Sequence, residues 1–139
     1  MAILDELARK NLKVKRHKQV NYYALKADSI LSRGYAQHIT LQSVSAELGI
    51  TPNYLSAIYK SCTGIGFSDR LCALRMQAAE KMLLAGNVSA ADVAQAVGYE
   101  DESHFRRRFK QYFGVGIREY CCVNREQTLY HAKPQRRSE

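Results

Sequence analysis

The sequence predicts an all-α fold of seven helices, arranged as two repeated halves joined by a long linking helix. Three observations support this prediction. Apolar residues recur with helical spacing, residues that begin and end helices follow at short intervals, and the punctuation of the first half returns in the second. The 139 residues, 46% of them hydrophobic, are enough for one ordinary domain or for two very small ones sharing a core.

Two helices are predicted before residue 50. An apolar stripe runs from Asn21 to Arg33 and ends at Gly34. We expect it to face the core through the residues Tyr22, Tyr23, Leu25, Ala27, Ile30 and Leu31. Thr40 is a good N-cap for a second helix over residues 41–48, and Gly49 suits the left-handed position that ends it.

The third and fourth helices follow without a long loop. Thr51 and Pro52 combine an N-cap with the residue favoured at the first helical position, so a helix begins here and runs to Gly64. A long amphipathic helix is then predicted from about Phe67 to Ala85 and ends at Gly86-Asn87. Its expected inner positions are Leu71, Leu74, Ala78, Met82 and Leu83.

The same caps and stops return in the second half. Ser89 caps a fifth helix that ends at Gly98, and Asp92 has the spacing of a capping box. A sixth helix is capped by Asp101 or Ser103 and ends at Gly114, and a short seventh helix follows Ile117.

The two halves align at an offset of 49–50 residues. Residues 44–49 match residues 93–98, and Tyr59-Lys60 matches Phe109-Lys110. Each half contains a helix, a tight turn with glycine and a second helix, the helix-turn-helix form whose second helix enters the major groove of DNA. The alternative is a helical bundle with a coincidental internal repeat.

The net charge of +8 and the pI of about 9.5 indicate an anionic partner, nucleic acid first and a membrane surface second. The charge is uneven. Residues 1–20 carry six basic against two acidic side chains, and four basic residues are crowded into positions 106–110. Basic segments at the end of a chain, such as residues 1–20, are often only solvated. A basic cluster inside an amphipathic helix, as at positions 106–110, indicates a binding face.

Nothing in the sequence supports catalysis, a metal site or a cofactor. The four cysteines and four histidines show no ligand spacing, and we expect ordinary reduced thiols. Phosphate-binding loops and nucleophile motifs are also missing from the sequence. No apolar stretch approaches the length of a membrane span, and the N-terminus lacks the pattern of a secretion signal. We therefore expect a cytoplasmic, nucleoid-associated protein that is not an enzyme.

The third helix is the first candidate recognition helix. Its predicted core face consists of Leu55, Ile58, Tyr59 and Cys62. On the opposite side, Asn53 is suited to adenine, Ala57 to a thymine methyl group and Lys60 to phosphate. Ser56 lies at the flank of this outer face. A plain solvated face is the alternative, because long polar side chains are few here.

The sixth helix is the second candidate. Its predicted core face consists of Phe105, Phe109, Tyr112 and Phe113. Arg107 points away from that face, with Ser103 beside it, and is the best candidate to contact a guanine edge. The residues expected on phosphates are Arg106, Arg108 and Lys110. Glu102 is a candidate acceptor from cytosine N4 unless it pairs with the arginines; the alternative for the cluster is a solvated charged face.

Together these segments resemble the DNA-binding domain of the AraC/XylS family of bacterial transcription regulators. The resemblance covers about residues 21–121 and is carried by residues 48–60 (LGITPNYLSAIYK) and by residues 93–120, above all YEDESHFRRRFK. It implies seven helices in two helix-turn-helix subdomains and transcription activation through contact with RNA polymerase. The base-reading positions it implies are Asn53, Ser56 and Ala57 in the first subdomain, and Glu102, Ser103, Arg106 and Arg107 in the second.

Two departures from the family pattern are visible. Ala57 stands where the family often has arginine, so readout by the first helix is expected to be weak or to depend on DNA shape. Ile117 and Cys121 replace the proline and arginine that usually close the second subdomain, which leaves the start of the last helix open.

The predicted organisation has four parts. A basic linker or N-terminal extension covers 1–20, the first subdomain with the linking helix 21–86, the second subdomain 87–124, and a basic, disordered tail 125–139. Most members of the family carry a further N-terminal domain that binds an effector or dimerises, and residues 1–20 are too few to form one. An excised DNA-binding half is favoured over a compact single-domain member.

Three functional hypotheses follow. The first is a regulator that binds double-stranded DNA at a specific, non-palindromic sequence through two adjacent major grooves. The second is an architectural or nonspecific DNA-binding protein, in which the tails and the basic cluster act mainly through their charge. The third is a protein-interaction module whose basic tails engage acidic partners or membrane lipid.

Overall fold

The computed structural model describes residues 22–132, with side chains up to residue 125, and this part of the chain contains seven helices and no β-strand. The helices are α1 (residues 22–34), α2 (Leu41–Leu48), α3 (Pro52–Thr63), α4 (Phe67–Ala85), α5 (Ala90–Ala96), α6 (Glu102–Phe113) and α7 (Ile117–Ala132). The all-α prediction is confirmed. The predicted extension at 1–20 and the end of the predicted tail lie outside the described residues.

The chain divides into two compact units within α4, the first ending at Leu71 and the second beginning at Cys72. In the first unit α2 and α3 form a helix-turn-helix pair, and α5 and α6 form the corresponding pair in the second. None of the seven helices within residues 22–132 is long and apolar enough to cross a membrane.

The predicted N-caps are confirmed at four helices. The Thr40 hydroxyl accepts from the backbone N–H of Ser43, whose own hydroxyl accepts from the Thr40 N–H, a reciprocal capping box. Thr51, Ser89 and Asp101 accept from the backbone N–H of Tyr54, Asp92 and Ser103. Asp101, rather than Ser103, is therefore the N-cap of α6. These side chains fix where each helix begins because they satisfy backbone donors that lack a partner inside the helix.

The glycines that end α3 and α6 are equivalent in the repeat. Gly64 and Gly114 adopt left-handed backbone angles, with φ of 77° and 81°, which side chains with a Cβ rarely tolerate. Each donates its N–H to the carbonyl of a lysine four residues earlier, Lys60 or Lys110, at 2.8 Å. Both candidate recognition helices thus end in the same way, directly after the residues proposed to contact DNA.

The core of the first unit is formed by one stripe of α1 and by the inner faces of α2, α3 and the start of α4. Its buried residues are Ala24, Ala27, Leu31, Val44, Leu55, Ile58, Tyr59 and Phe67. The prediction that Tyr22 and Leu25 face the core is wrong: they are 54% and 72% exposed. The stripe of Ala24, Ala27 and Leu31 has spacings of three and four residues, so Tyr22 and Leu25 fall on other sides of the helix.

The core of the second unit is built on an aromatic row. The buried residues of this core include Met76, Ala79 and Leu83 of α4, together with Val93, Tyr99, Phe105, Phe109 and Ile117. Of the predicted inner positions of α4, Leu83 is buried, and Ala78 and Met82 are partly buried against this core. Met76 and Ala79, which are completely buried, were not predicted. The Phe109 ring lies 4.4 Å from that of Phe113 and 5.4 Å from that of Tyr120, measured between centroids.

Two further residues predicted to face the core are exposed. Cys62 lies in the last turn of α3, and Tyr112, 43% exposed, lies in the last turn of α6. The two positions are fifty residues apart and are equivalent in the repeat. Each lies one turn beyond the last buried residue of its helix, Tyr59 or Phe109, and this is why helical spacing alone assigned them to the core.

An acidic side chain ties the helices together in each unit. In the first unit Asp28 accepts hydrogen bonds from the Tyr59 hydroxyl at 2.8 Å and from the Arg70 Nε at 3.2 Å. In the second, Glu80 accepts from the Tyr120 hydroxyl at 2.6 Å. The donors Arg70 and Tyr120 are fifty residues apart and equivalent in the repeat, whereas the acceptors Asp28 and Glu80 are fifty-two residues apart.

The last helix is longer than the sequence predicts. The sequence left the start of this helix open, and in the structure α7 begins at Ile117 itself, whose side chain is 9% exposed. The backbone remains helical through Ala132, whereas the sequence reading placed the start of a disordered tail at residue 125. A helix of sixteen residues thus replaces the short one that was predicted.

Stability is expected to fall at alkaline pH because of the tyrosine hydroxyls. Burial and the hydrogen bond to Glu80 raise the pKa of Tyr120 from 10.0 to about 12. The folded state therefore holds its phenolic proton more tightly than the unfolded state does. The resulting stabilisation is complete below pH 10 and is lost as the pH rises through 12. Urea denaturation from pH 8 to 12 should show this fall, and Tyr120→Phe should make it shallower; an unchanged slope in the variant would contradict the assignment.

Candidate nucleic-acid interface

The predicted DNA-contacting residues of α3 share one exposed face. Asn53, Ser56, Ala57 and Lys60 are all exposed, while Leu55, Ile58 and Tyr59 are buried on the opposite side. The start of α3 is fixed by the Thr51 cap and by Pro52 at its first position. Thr51 and Pro52 therefore fix the position of the N-terminal turn of α3, which carries Asn53.

The predicted residues of α6 also lie together. Ser103, Arg106, Arg107, Arg108 and Lys110 are exposed, and Glu102 is half-buried. Phe105 and Phe109 are completely buried and hold the helix against the core of its unit. Four cations thus lie on the outside of one helix whose inside is aromatic, the arrangement expected of a helix that meets an anionic surface.

Glu102 pairs with Arg106 one turn later. Its Oε1 accepts from Nε at 3.0 Å and from Nη2 at 2.9 Å of the same guanidinium. Within the described residues, Arg107, Arg108 and Lys110 take part in no ion pair. Of the two roles that the sequence left open for Glu102, the pairing with an arginine is the one present without DNA.

His104 and Gln111 belong to the same surface, although the sequence analysis did not select them. Both are exposed, and with Arg107 and Arg108 they line a shallow depression along α6. Their spacing was a usable signal, because residues 104, 107, 108 and 111 fall on one side of a helix. The His104 ring also packs edge to face on Tyr99, with centroids 5.4 Å apart.

Tyr99 supports α6 from behind. It is 7% exposed, its ring lies 5.5 Å from that of Phe105, and the Arg75 guanidinium lies 5.3 Å from its ring centroid. Burial, and then the interaction of its hydroxyl with the sulfur of Cys72, raise the pKa of Tyr99 to about 12. Tyr99 thus packs on both His104 and Phe105, which lie on different sides of α6.

The two outer faces differ strongly in charge. Lys60 is the cation of α3, whereas α6 has Arg106, Arg107, Arg108 and Lys110. The position of α3 that corresponds to His104 holds Tyr54, whose ring packs on Tyr23 with centroids 6.3 Å apart. The first unit therefore offers polar and aromatic contacts, and the second offers charge.

Known proteins resemble this pair of helix-turn-helix units in sequence and in fold. A family model described as a helix-turn-helix domain matches residues 44–121. The C-terminal domain of AraT, a response regulator from Geobacillus stearothermophilus, is 30% identical with a TM-score of 0.71, covering 73% of this chain and 84% of its own. A regulator with an AraC-type DNA-binding domain from Chromobacterium violaceum has the same fold at 19% identity (TM-score 0.65, 73% of this chain, 91% of that one).

The chain belongs to the AraC/XylS family of transcription regulators. The family consists of DNA-binding regulators and not of enzymes, as the sequence analysis expected. The raffinose operon transcriptional regulatory protein RafR of Pediococcus pentosaceus is 30% identical over 105 residues, which are 76% of this chain and 36% of RafR. Across the first curated relatives of this AraC/XylS chain, the matched part spans 11–40% of their length.

Proposed function

We propose that this AraC/XylS domain recognises a specific sequence in double-stranded DNA by placing α3 and α6 in two adjacent major grooves. The observation that carries the proposal is the outer side of α6, where Arg107 lies opposite the buried Phe105 and Phe109 and three further exposed cations, Arg106, Arg108 and Lys110, surround it. A helix fixed by its aromatic side and basic on the other is shaped to enter a groove lined with phosphates.

Arg107 is the proposed principal base reader. It is exposed, its side chain takes part in no ion pair within the described residues, and it borders the depression of His104 and Gln111. A guanidinium whose N–H groups are not used in an ion pair can donate to both the O6 and the N7 acceptors of guanine. Ser103 lies on the same outer face, one turn closer to the start of α6.

The first unit is proposed to read its groove with fewer strong contacts. Asn53 is suited to adenine N6 and N7, Ala57 to a thymine methyl group, and Ser56 to either kind of base edge. Arginine and lysine are missing from the first half of α3, so most of the discrimination should come from the second unit. One monomer should therefore have an asymmetric site with one strongly and one weakly specified half.

Selection from a random duplex library tests this proposal. The expected result is a non-palindromic motif with two parts about one helical turn apart, roughly 10 base pairs, because two different recognition helices read it. Recovered sequences without a shared motif would contradict sequence-specific binding and favour an architectural DNA-binding protein. Binding without any dependence on duplex DNA would favour a protein-interaction module.

The lysines at the ends of the recognition helices are proposed to contact phosphates. Lys60→Ala and Lys110→Ala should each weaken binding to all duplexes alike and lower the slope of log K against log salt by about one unit. Titrations of the selected site and of a scrambled duplex at several salt concentrations measure both quantities. Lys81→Ala on α4 is the matched control; a lysine variant that changed the selected motif would contradict a backbone role.

We further propose that the regulator activates transcription through contact with RNA polymerase, and that it does so on the chromosome in the cytoplasm. The resemblance to AraC/XylS regulators supports this proposal, and RafR is itself named a transcriptional regulatory protein. In vitro transcription from a promoter that carries the selected motif tests it. More transcript with the protein present is the expected result, and a constant or smaller amount would contradict activation.

A further inference from the structure

We propose that Glu102 is a positioning residue that holds Arg106 in place to read a guanine, so that Arg106 and Arg107 specify two positions of the DNA site. This inference rests on the proposed function, because it assigns a role within the face of α6 that is proposed to enter the groove. It starts from the Glu102–Arg106 ion pair, the one such pair on α6 among the described residues.

The geometry of the pair leaves the reading end of Arg106 free. Glu102 Oε1 accepts from Nε and from Nη2, which are the side edge of the guanidinium. An arginine has five N–H donors, so both hydrogens of Nη1 and one of Nη2 remain; the Nη2 hydrogen and one of the Nη1 hydrogens form the terminal fork. The fork is the part that matches the O6 and N7 acceptors of guanine. Glu102 therefore restricts the side chain without occupying its recognition edge.

Glu102 lies at a position of α6 that favours a carboxylate. It is the first residue of α6, directly after the Asp101 cap, and a carboxylate at this end is favoured by the helix dipole. Its side chain is 42% exposed against 55% for that of Arg106, so the pair lies partly against the helix. A pair this exposed contributes little to stability in water. We infer that its main effect appears when DNA excludes the surrounding water, because a side chain already fixed loses less rotational freedom on binding.

The charges of the pair also favour discrimination over affinity. The Glu102 carboxylate offsets the Arg106 cation, so the pair attracts phosphate less than a free arginine would. Where the base edge lacks two acceptors, Arg106 makes no bidentate contact with it. The negative charge of Glu102 then lies close to the DNA with no base contact to offset the repulsion. Arg107 and Arg108, which take part in no ion pair among the described residues, supply attraction instead. Removal of Glu102 should thus raise affinity for arbitrary DNA and lower the preference for the selected site.

Two variants of Glu102 separate the effect of its side-chain length from the effect of its charge. Glu102→Asp keeps the negative charge at the start of the helix but is one methylene shorter, and Glu102→Ala removes both. Binding is measured for the selected duplex, for every single-base-pair change in it, and for a scrambled duplex. We expect both variants to lose about three- to tenfold of the discrimination at one base pair, the one at which Arg106→Ala also loses it. Only Glu102→Ala should bind the scrambled duplex more tightly.

A double-variant comparison gives the decisive result. In the Arg106→Ala background, Glu102→Ala should change no base preference further, because the residue that it positions is gone. A change of preference in that background would overturn the inference and make Glu102 a base reader itself. Unchanged discrimination in both single variants would also overturn it. If the wild-type protein selects no motif at all, the proposed function fails instead, and thermal unfolding of each variant checks that α6 is intact.

Discussion

Arg107→Ala is expected to lower the affinity for the selected DNA site by about tenfold to a hundredfold, and to relax the base preference at one position. The guanidinium is exposed on the outer face of α6 and takes part in no ion pair within the described residues. A bidentate contact between arginine and guanine contributes ~1–3 kcal/mol of discrimination, and this is lost when the side chain is truncated. Binding titrations against the selected duplex and its single-base variants measure both effects.

Arg107→Lys is the informative control. Lysine keeps the positive charge but has no planar fork, so it retains attraction to phosphate and loses the bidentate contact. We expect the salt dependence to remain near that of the wild-type protein while preference at the affected position falls. Equal loss of affinity for all sequences in Arg107→Ala would instead assign this residue to the DNA backbone.

Phe109→Ala is expected to destabilise the second unit by about 3–5 kcal/mol, a large part of the stability of a small domain. The ring is completely buried and packs on Phe105, Phe113 and Tyr120. Its removal leaves a cavity behind the recognition helix, so DNA binding should fall with folding. Urea denaturation followed by circular dichroism measures the change in the free energy of unfolding.

Tyr112→Ala, on the same helix, is the matched control for the core. Tyr112 is an aromatic residue three positions further along, but it is 43% exposed. We expect a loss below about 1 kcal/mol, in the range of substitutions at the surface. A loss as large as that of Phe109→Ala would show that Tyr112 is part of the core, as helical periodicity first indicated.

Most helix limits could be predicted because the residues that begin and end a helix act on nearby backbone groups. The caps Thr40, Thr51 and Ser89 act on backbone donors within three residues, and Gly64 and Gly114 act on the turn in which they lie. Such contacts are written in consecutive residues and need no knowledge of the rest of the fold. For the same reason the repeat, the outer faces of α3 and α6, and the family itself were visible in the sequence.

The sequence was less informative where the outcome depends on which other helix a side chain meets. Periodicity gives the direction of a residue around its helix but not whether a neighbouring helix covers that residue. It placed Cys62 and Tyr112 in the core, although both are exposed, and chose Tyr22 and Leu25 instead of Ala24. A small residue such as Ala24 carries a weak apolar signal in the sequence, yet it is only 4% exposed in the structure.

The sequence by itself determined the all-α class, the two helix-turn-helix pairs, the helix limits at most caps and the basic face of α6. Only the tertiary structure decided which long-range partners join the helices. Asp28 with Tyr59 and Arg70, and Glu80 with Tyr120, link residues 31 to 42 positions apart, and no local pattern pairs them. Local backbone chemistry is encoded in neighbouring residues, whereas these contacts exist only once the chain has folded.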